Sequence, residues 1–162
     1  MRNVETVVFE NVHDLSEAVA SLKHQGKTIV TTNGCFDLLH TGHISYLTEA
    51  ASFGDYLIVG INSDMSVEKL KGPGRPVQKE KDRAFIIGSL KMVDFVFIFS
   101  ENDPRAFLSI LKPDVHVKGG DYTPEKLPER EVVEANGGKI AIVSFVDGYS
   151  TSSIVKKICD NK

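Results

Sequence analysis

Apolar positions along the chain follow two rhythms. Short runs rich in β-branched and aromatic residues recur as TIVTT (28–32), YLIVGIN (56–62), DFVFIF (94–99), VHVKG (115–119) and KIAIVSF (139–145). They are mostly continuous rather than alternating, which predicts strands buried on both faces. Between them the spacing changes to three and four. In HTGHISYLTEAASFGD, from 40, Ile44, Leu47 and Ala51 line one face and Gly54 stands where a helix would stop. In KEKDRAFIIGSLKMVD, from 79, Phe85, Ile86, Ile87 and Leu90 form a broad apolar stripe. NDPRAFLSILKPD opens with Asp103 as an expected N-cap and Pro104 at the first helical position, and it stops before Pro113. PEREVVEANGG closes on glycines.

Strands alternating with helices of this length predict βαβ units: a single α/β domain with a Rossmann-like parallel sheet of five strands and helices on both faces. An N-terminal helical segment over 1–25 is expected to pack on a main domain at 26–162. At 162 residues the chain suits one domain with a sizeable core. No internal repeat or low-complexity segment interrupts it.

Charge and composition narrow the function. The net charge of −3 gives no reason to expect a nucleic-acid partner, since phosphate-backbone binders carry a basic surplus. No apolar run approaches the ~20 residues that span a bilayer, so no membrane partner is expected. The opening MRNVETVVFENVHD carries acids where a signal peptide needs an apolar core. Cys35 and Cys159 form no metal-binding spacing and read as free thiols. The cytoplasm is the expected compartment.

In parallel sheets ligands bind beyond the carboxyl ends of the strands, here 33–43, 62–76, 118–122 and 146–153. Neither GxxxxGK[ST] nor a GxGxxG after the first strand is present. His40-Thr41-Gly42-His43 offers another device. Gly42 lets a ligand approach the backbone, and the helix that follows points amides and the positive end of its dipole at an anion. Imidazoles can donate to phosphate oxygens. A zinc reading needs third and fourth ligands, and no matching Cys or His cluster occurs. A histidine that merely packs against its own loop is the blander alternative.

GCFDLLHTGHISYL resembles the HxGH nucleotidyltransferases of the cytidylyltransferase-like superfamily. The resemblance continues through GDYLIVGINSDMSVEKLKGPGRPV, KDRAFIIGSLKMVDFV, PDVHVKGGDY and DGYSTSSIVKKI, so it spans about residues 26 to 158. Within the superfamily, LKGPGRPV, VKGGDY and GYST look most like the D-glycero-β-D-manno-heptose 1-phosphate adenylyltransferases, in a free-standing form of a transferase domain that is often fused to a sugar kinase.

The resemblance implies transfer of a nucleotidyl group from ATP, with Mg²⁺, to a sugar 1-phosphate, and a homodimer. It implies catalytic roles for His40, His43, Lys71 and Arg83. Nucleotide contacts fall to Asn33, Gly34, Cys35, Phe36, Gly42, Gly119, Gly120, Asp121, Ser150, Thr151 and Ser152. Asp64 and Arg75, in the 62–75 stretch, are candidates for the sugar-phosphate side, Lys118 is a candidate for that side or for the triphosphate, and no protein-held metal is expected. Asp37 reads as structural, capping or orienting the histidine loop. Related cytidylyltransferases carry a basic residue where this chain has Phe145 and Val146. Two other readings remain open at this stage: a cytidylyltransferase acting on glycerol 3-phosphate or another polyol phosphate, and a non-catalytic nucleotide-binding module.

Overall fold

The computed structural model describes residues 7–9, 11–120, 123–144, 148 and 150–160. In chain order the elements are β1 (Val7–Phe9), α1 (Val12–His24), β2 (Ile29–Gly34), α2 (Thr41–Ala51), β3 (Tyr56–Asn62), α3 (Asp64–Lys71) and α4 (Glu80–Gly88). They continue with β4 (Phe95–Phe99), α5 (Arg105–Leu111), β5 (Val115–Gly119), a 3-10 turn (Pro124–Lys126), α6 (Arg130–Ala135), β6 (Lys139–Val143) and α7 (Thr151–Asp160).

The strands form one parallel sheet in the order β1-β4-β3-β2-β5-β6. Continuous apolar strands need cover on both faces, and two helical layers supply it. On one face Leu47 and Ala50 of α2 and Ala84 and Ile87 of α4 pack over Val30, Val59, Val96 and Val117. On the other, Leu15 and Val19 of α1, Leu108 and Leu111 of α5 and Val133 of α6 cover Ile29, Ile58 and Phe97. Each such side chain contributes about 1.5–3 kcal/mol when fully buried. At the amino end of the sheet, aspartates satisfy the first strand amides. Asp55, Asp114 and Asp94 accept from the N–H groups of Thr28, Ile29 and Leu57 at 2.7 to 2.8 Å.

The sheet has six strands, not the five expected. The extra one, Val7–Phe9, lies within the stretch expected to be helical and pairs with β4. Three residues are too short to show a period, and this edge strand is specified by the open backbone of β4 and by Phe9, whose ring meets Phe95 edge-on at 5.5 Å.

Four local expectations also need correction. Asp64–Lys71, within the 62–76 stretch and given no element by the pattern, is a helix capped by Ser63, whose side chain accepts from the Ser66 N–H. Helix α5 begins at Arg105 with Pro104 as its N-cap residue, while Asp103 accepts the Arg105 N–H from just outside. In α4 the stripe is rotated: Phe85 is 72% exposed, whereas Arg83 is wholly buried. Gly54 is required by proximity rather than by helix termination. A Cβ there would stand 2.7 Å from a Val30 methyl and 2.8 Å from the Thr28 carbonyl oxygen.

Candidate active site

From β2 the chain moves through β3 to β4 on one side, then returns to place β5 and β6 on the other. The gap between the carboxyl ends of β2 and β5 is therefore the topological switch point, where open α/β sheets hold ligands. Asn33, near the end of β2, and Lys118, near the end of β5, meet across it: the Lys118 ammonium donates to Asn33 Oδ1 at 3.2 Å.

The histidine loop leaves β2 at this point. Phe36 takes a left-handed conformation, φ 46°, and its ring folds back so closely over Gly34 that a Cβ at Gly34 would stand 2.9 Å from the ring. That turn leads to His40, the N-cap residue of α2, whose ring does not cap the helix. The amides of Thr41 and Gly42, which have no intrahelical acceptor, remain for an anion. The His40 and His43 rings stack with centroids 3.8 Å apart and planes 20° from parallel. The Phe36 ring lies 5.3 Å from that of His43.

Desolvation lowers the pKa of both histidines. That of His43 is pushed down to about 4, by burial first and by the neighbouring His40 second, and that of His40 falls through burial. At neutral pH both rings are uncharged, each with one N–H to donate and one nitrogen to accept. Among the described residues the buried Nδ1 of His43 has no hydrogen-bond partner.

Three ties hold this loop in place. Asp37, 2% exposed, accepts from Arg75 Nε at 2.6 Å and from the backbone N–H groups of Val77 and Gln78 at 2.7 and 3.0 Å. The three donors keep its carboxyl below the usual carboxylate range in spite of burial, which opposes them. Arg83 donates to the Cys35 carbonyl at 2.6 Å, to the Gln78 carbonyl at 3.0 Å and to Asp64 Oδ1 at 2.9 Å. Thr151, opening α7, donates its hydroxyl to the Leu38 carbonyl at 3.2 Å.

The residues singled out in the sequence thus divide by position. Asn33, Gly34, Cys35, Phe36, His40, Gly42, His43 and Lys118 gather at the β2 and β5 ends. Gly119 and Gly120 continue β5, with the Gly120 N–H spent on the Val143 carbonyl. Asp121, like Phe145 and Val146, lies outside the described residues. Ser150 caps α7 by accepting from the Ser153 N–H, and Ser152 is exposed beside it.

Lys71 is an exposed residue at the end of α3. Its charge, with those of Arg83 and Arg75, bears on the Cys35 thiol, although burial outweighs them and raises that thiol's pKa. Arg75 and Asp64 are engaged within the protein, Arg75 by Asp37 and Asp64 by Arg83 and, at 3.8 Å, by Lys79. Arg83 is an internal brace in this conformation, not a surface cation.

Sequence reasoning left two carboxylates out of the site. Asp37 sits in FDLL, a lone charge between apolar neighbours, which signals a buried partner. Glu129, 2% exposed and paired with Lys118, left no local sign. Among the described residues no group of three or more His, Cys, Asp or Glu is placed to hold a metal ion.

A phosphate-receptive helix start, two stacked neutral imidazoles and a lysine at the switch point define an α/β nucleotide-binding domain. The chain belongs to the family described as Cytidylyltransferase-like, whose model matches residues 31–157. Two relatives carry the name Bifunctional protein HldE. The one from Geotalea uraniireducens (strain Rf4) is 52% identical over 149 residues, and the one from Geobacter metallireducens (strain ATCC 53774 / DSM 7210 / GS-15) is 50% identical over 149. Each match covers 92% of this chain and 30% of the relative, so the chain spans under a third of their length.

Among solved structures, the lipopolysaccharide core biosynthesis protein from Thermoplasma volcanium GSS1 is 30% identical, with a TM-score of 0.62. That match covers 77% of this chain and 100% of the other. Pantoate-beta-alanine ligase from Francisella tularensis shares the fold at 17% identity and a TM-score of 0.60, covering 96% of this chain and 78% of its own. Among the described residues no helix is long and apolar enough to cross a membrane.

Proposed function

We propose that this domain transfers AMP from ATP to D-glycero-β-D-manno-heptose 1-phosphate, giving ADP-heptose, a precursor of the lipopolysaccharide core, and pyrophosphate. The observation that carries the chemistry is the stacked His40–His43 pair at the start of α2, beside the switch point. The choice of acceptor is supported by the LKGPGRPV, VKGGDY and GYST stretches and by the relatives named HldE, and the lipopolysaccharide context by the name of the Thermoplasma protein.

A sugar phosphate oxygen attacks the α-phosphorus of ATP. The new O–P bond forms as the bond from the α-phosphorus to its bridging oxygen breaks, and the electron pair leaves with pyrophosphate. The acceptor is already ionised at neutral pH, so no general base is needed. The task is to bring two anions together and to stabilise charge moving onto the leaving oxygen. In this reading neutral His40 and His43 donate N–H groups to the transferring phosphate, and the α2 amides receive its oxygens. Lys71 neutralises the triphosphate, and Ser150, Thr151 and Ser152 meet its outer phosphates. Asp37 and Arg83 keep the loop in register. Magnesium enters with the triphosphate as part of the substrate, the mode in which this ion commonly binds. A cytoplasmic location and a homodimer belong to the same proposal.

The test incubates the protein and Mg²⁺ with each of four nucleoside triphosphates against a panel of sugar and polyol phosphates, with pyrophosphate release as the readout. ATP with heptose 1-phosphate is the expected pair. CTP with glycerol 3-phosphate as the preferred pair would overturn the assignment.

A further inference from the structure

Glu129 is a buried carboxylate beside the switch point that the mechanism above does not use. It precedes α6 as its N-cap residue, yet its side chain does not cap that helix. One oxygen, Oε1, lies 2.8 Å from the Lys118 ammonium, and only 3% of the Glu129 side chain is exposed, against 20% for Lys118. The contact is ionic, since among the described residues Oε1 receives no directed hydrogen bond. Arg105, at the start of α5, adds a more distant positive charge. Lys118 is thus gripped from two sides, by Glu129 beneath α6 and by Asn33 at the end of β2.

An ammonium has three N–H donors. With one turned to Asn33 and the ammonium held 2.8 Å from Glu129 Oε1, its position beside the switch point is restrained from two sides, with N–H capacity left for a ligand. A lysine without such restraint would lose about four freely rotating bonds' worth of side-chain entropy when it met a ligand. We propose that Glu129 is a positioning residue: it pre-orients the Lys118 ammonium for an anionic oxygen of the sugar phosphate, and so acts on acceptor binding without touching the acceptor. This rests on the reading of Lys118 as the sugar-phosphate cation.

The test compares Glu129→Met, which keeps length and removes the acceptor, with Glu129→Gln, which keeps an acceptor oxygen, alongside Lys118→Met and the double variant. Sugar-phosphate binding is titrated without ATP, and KM and kcat are measured for both substrates. Losing one charge-assisted hydrogen bond corresponds to a weakening of about tenfold or more. Glu129→Met is expected to raise the dissociation constant and KM for the sugar phosphate by about tenfold, with KM for ATP unchanged. Glu129→Gln should restore most of that loss, and the double variant should be no worse than Lys118→Met.

A merely structural carboxylate would lower the melting temperature while leaving the sugar-phosphate KM intact, whereas a carboxylate acting on the sugar phosphate independently of Lys118 would make the double variant bind worse than Lys118→Met. Either result overturns the proposal. If Glu129→Met fails to fold, Glu129→Asp, which keeps the charge but withdraws it from Lys118 by one methylene, should raise the sugar-phosphate KM with KM for ATP unchanged, and an unchanged sugar-phosphate KM overturns the proposal. Should Lys118→Met leave sugar-phosphate binding unchanged while the wild-type protein still makes the nucleotide sugar, the placement of Lys118 fails and this proposal with it. Failure of the wild-type protein to use any sugar 1-phosphate would instead remove the functional reading itself.

Discussion

Arg83→Lys is the most discriminating single substitution, because it separates a brace from a phosphate ligand. The guanidinium has no exposed surface and spends donors on the carbonyls of Cys35 and Gln78 and on Asp64. A lysine keeps the charge and reaches Asp64, but it lacks the fork that serves two carbonyls at once. Two part-buried carbonyls left without a donor cost about 1–2 kcal/mol each, the lower part of the usual range, so the variant should lose about 2–4 kcal/mol of stability. The Asp64 contact adds little to this figure, since that carboxylate is 28% exposed and retains Lys79 at 3.8 Å. For a domain of this size the loss corresponds to a fall of about 5–15 °C in melting temperature. Thermal and denaturant unfolding give the first readout, and an ATP titration on the folded variant gives the second. Turnover should fall because the Cys35 turn relaxes and the histidine loop loses its register. An unchanged melting temperature together with weakened ATP binding would refute the brace and place the guanidinium on the phosphates.

Other outcomes follow from the same geometry. Alanine at His40 or His43 should lower kcat by about 10²–10³, as loss of one transition-state donor does, with ATP affinity changed far less; near-normal turnover would dismiss their role. His116, fully buried with Nδ1 2.8 Å from the Thr31 hydroxyl, has its pKa pushed down to about 3, by burial first and then by Lys118. Because the unfolded chain takes up that proton near 6.5, this contribution is whole above that pH and is lost as pH falls toward 3. About 2 kcal/mol should be gone by pH 5. Denaturant melts from pH 8 to 5 should show this slope, and His116→Asn should flatten it. Gly54→Ala should cost about 1–3 kcal/mol, read as a lowered denaturant midpoint, because the new methyl would press on Val30 and on the Thr28 carbonyl.

Much of the architecture was legible in the chain because it rests on local pattern. The runs at 56–62 and 115–119 became β3 and β5 without a change of boundary, since a strand apolar on both faces has few alternatives to the middle of a parallel sheet. His40-Thr41-Gly42-His43 could be placed at a helix start because a strand ends just before it and an amphipathic stripe begins just after. What the chain could not announce depends on partners distant in sequence. Arg83 takes a catalytic role from the resemblance, and its bracing contact with the carbonyl of Cys35, 48 residues earlier, is seen only in the fold. That contact turns α4 so that Phe85 faces outward. Lys118 and Asn33 are 85 residues apart and meet only because the strand order reverses between β2 and β5. Side-chain period follows from backbone geometry and can be read residue by residue. The pairing of a buried charge is decided by which segments the fold brings together, and only the tertiary structure sets that.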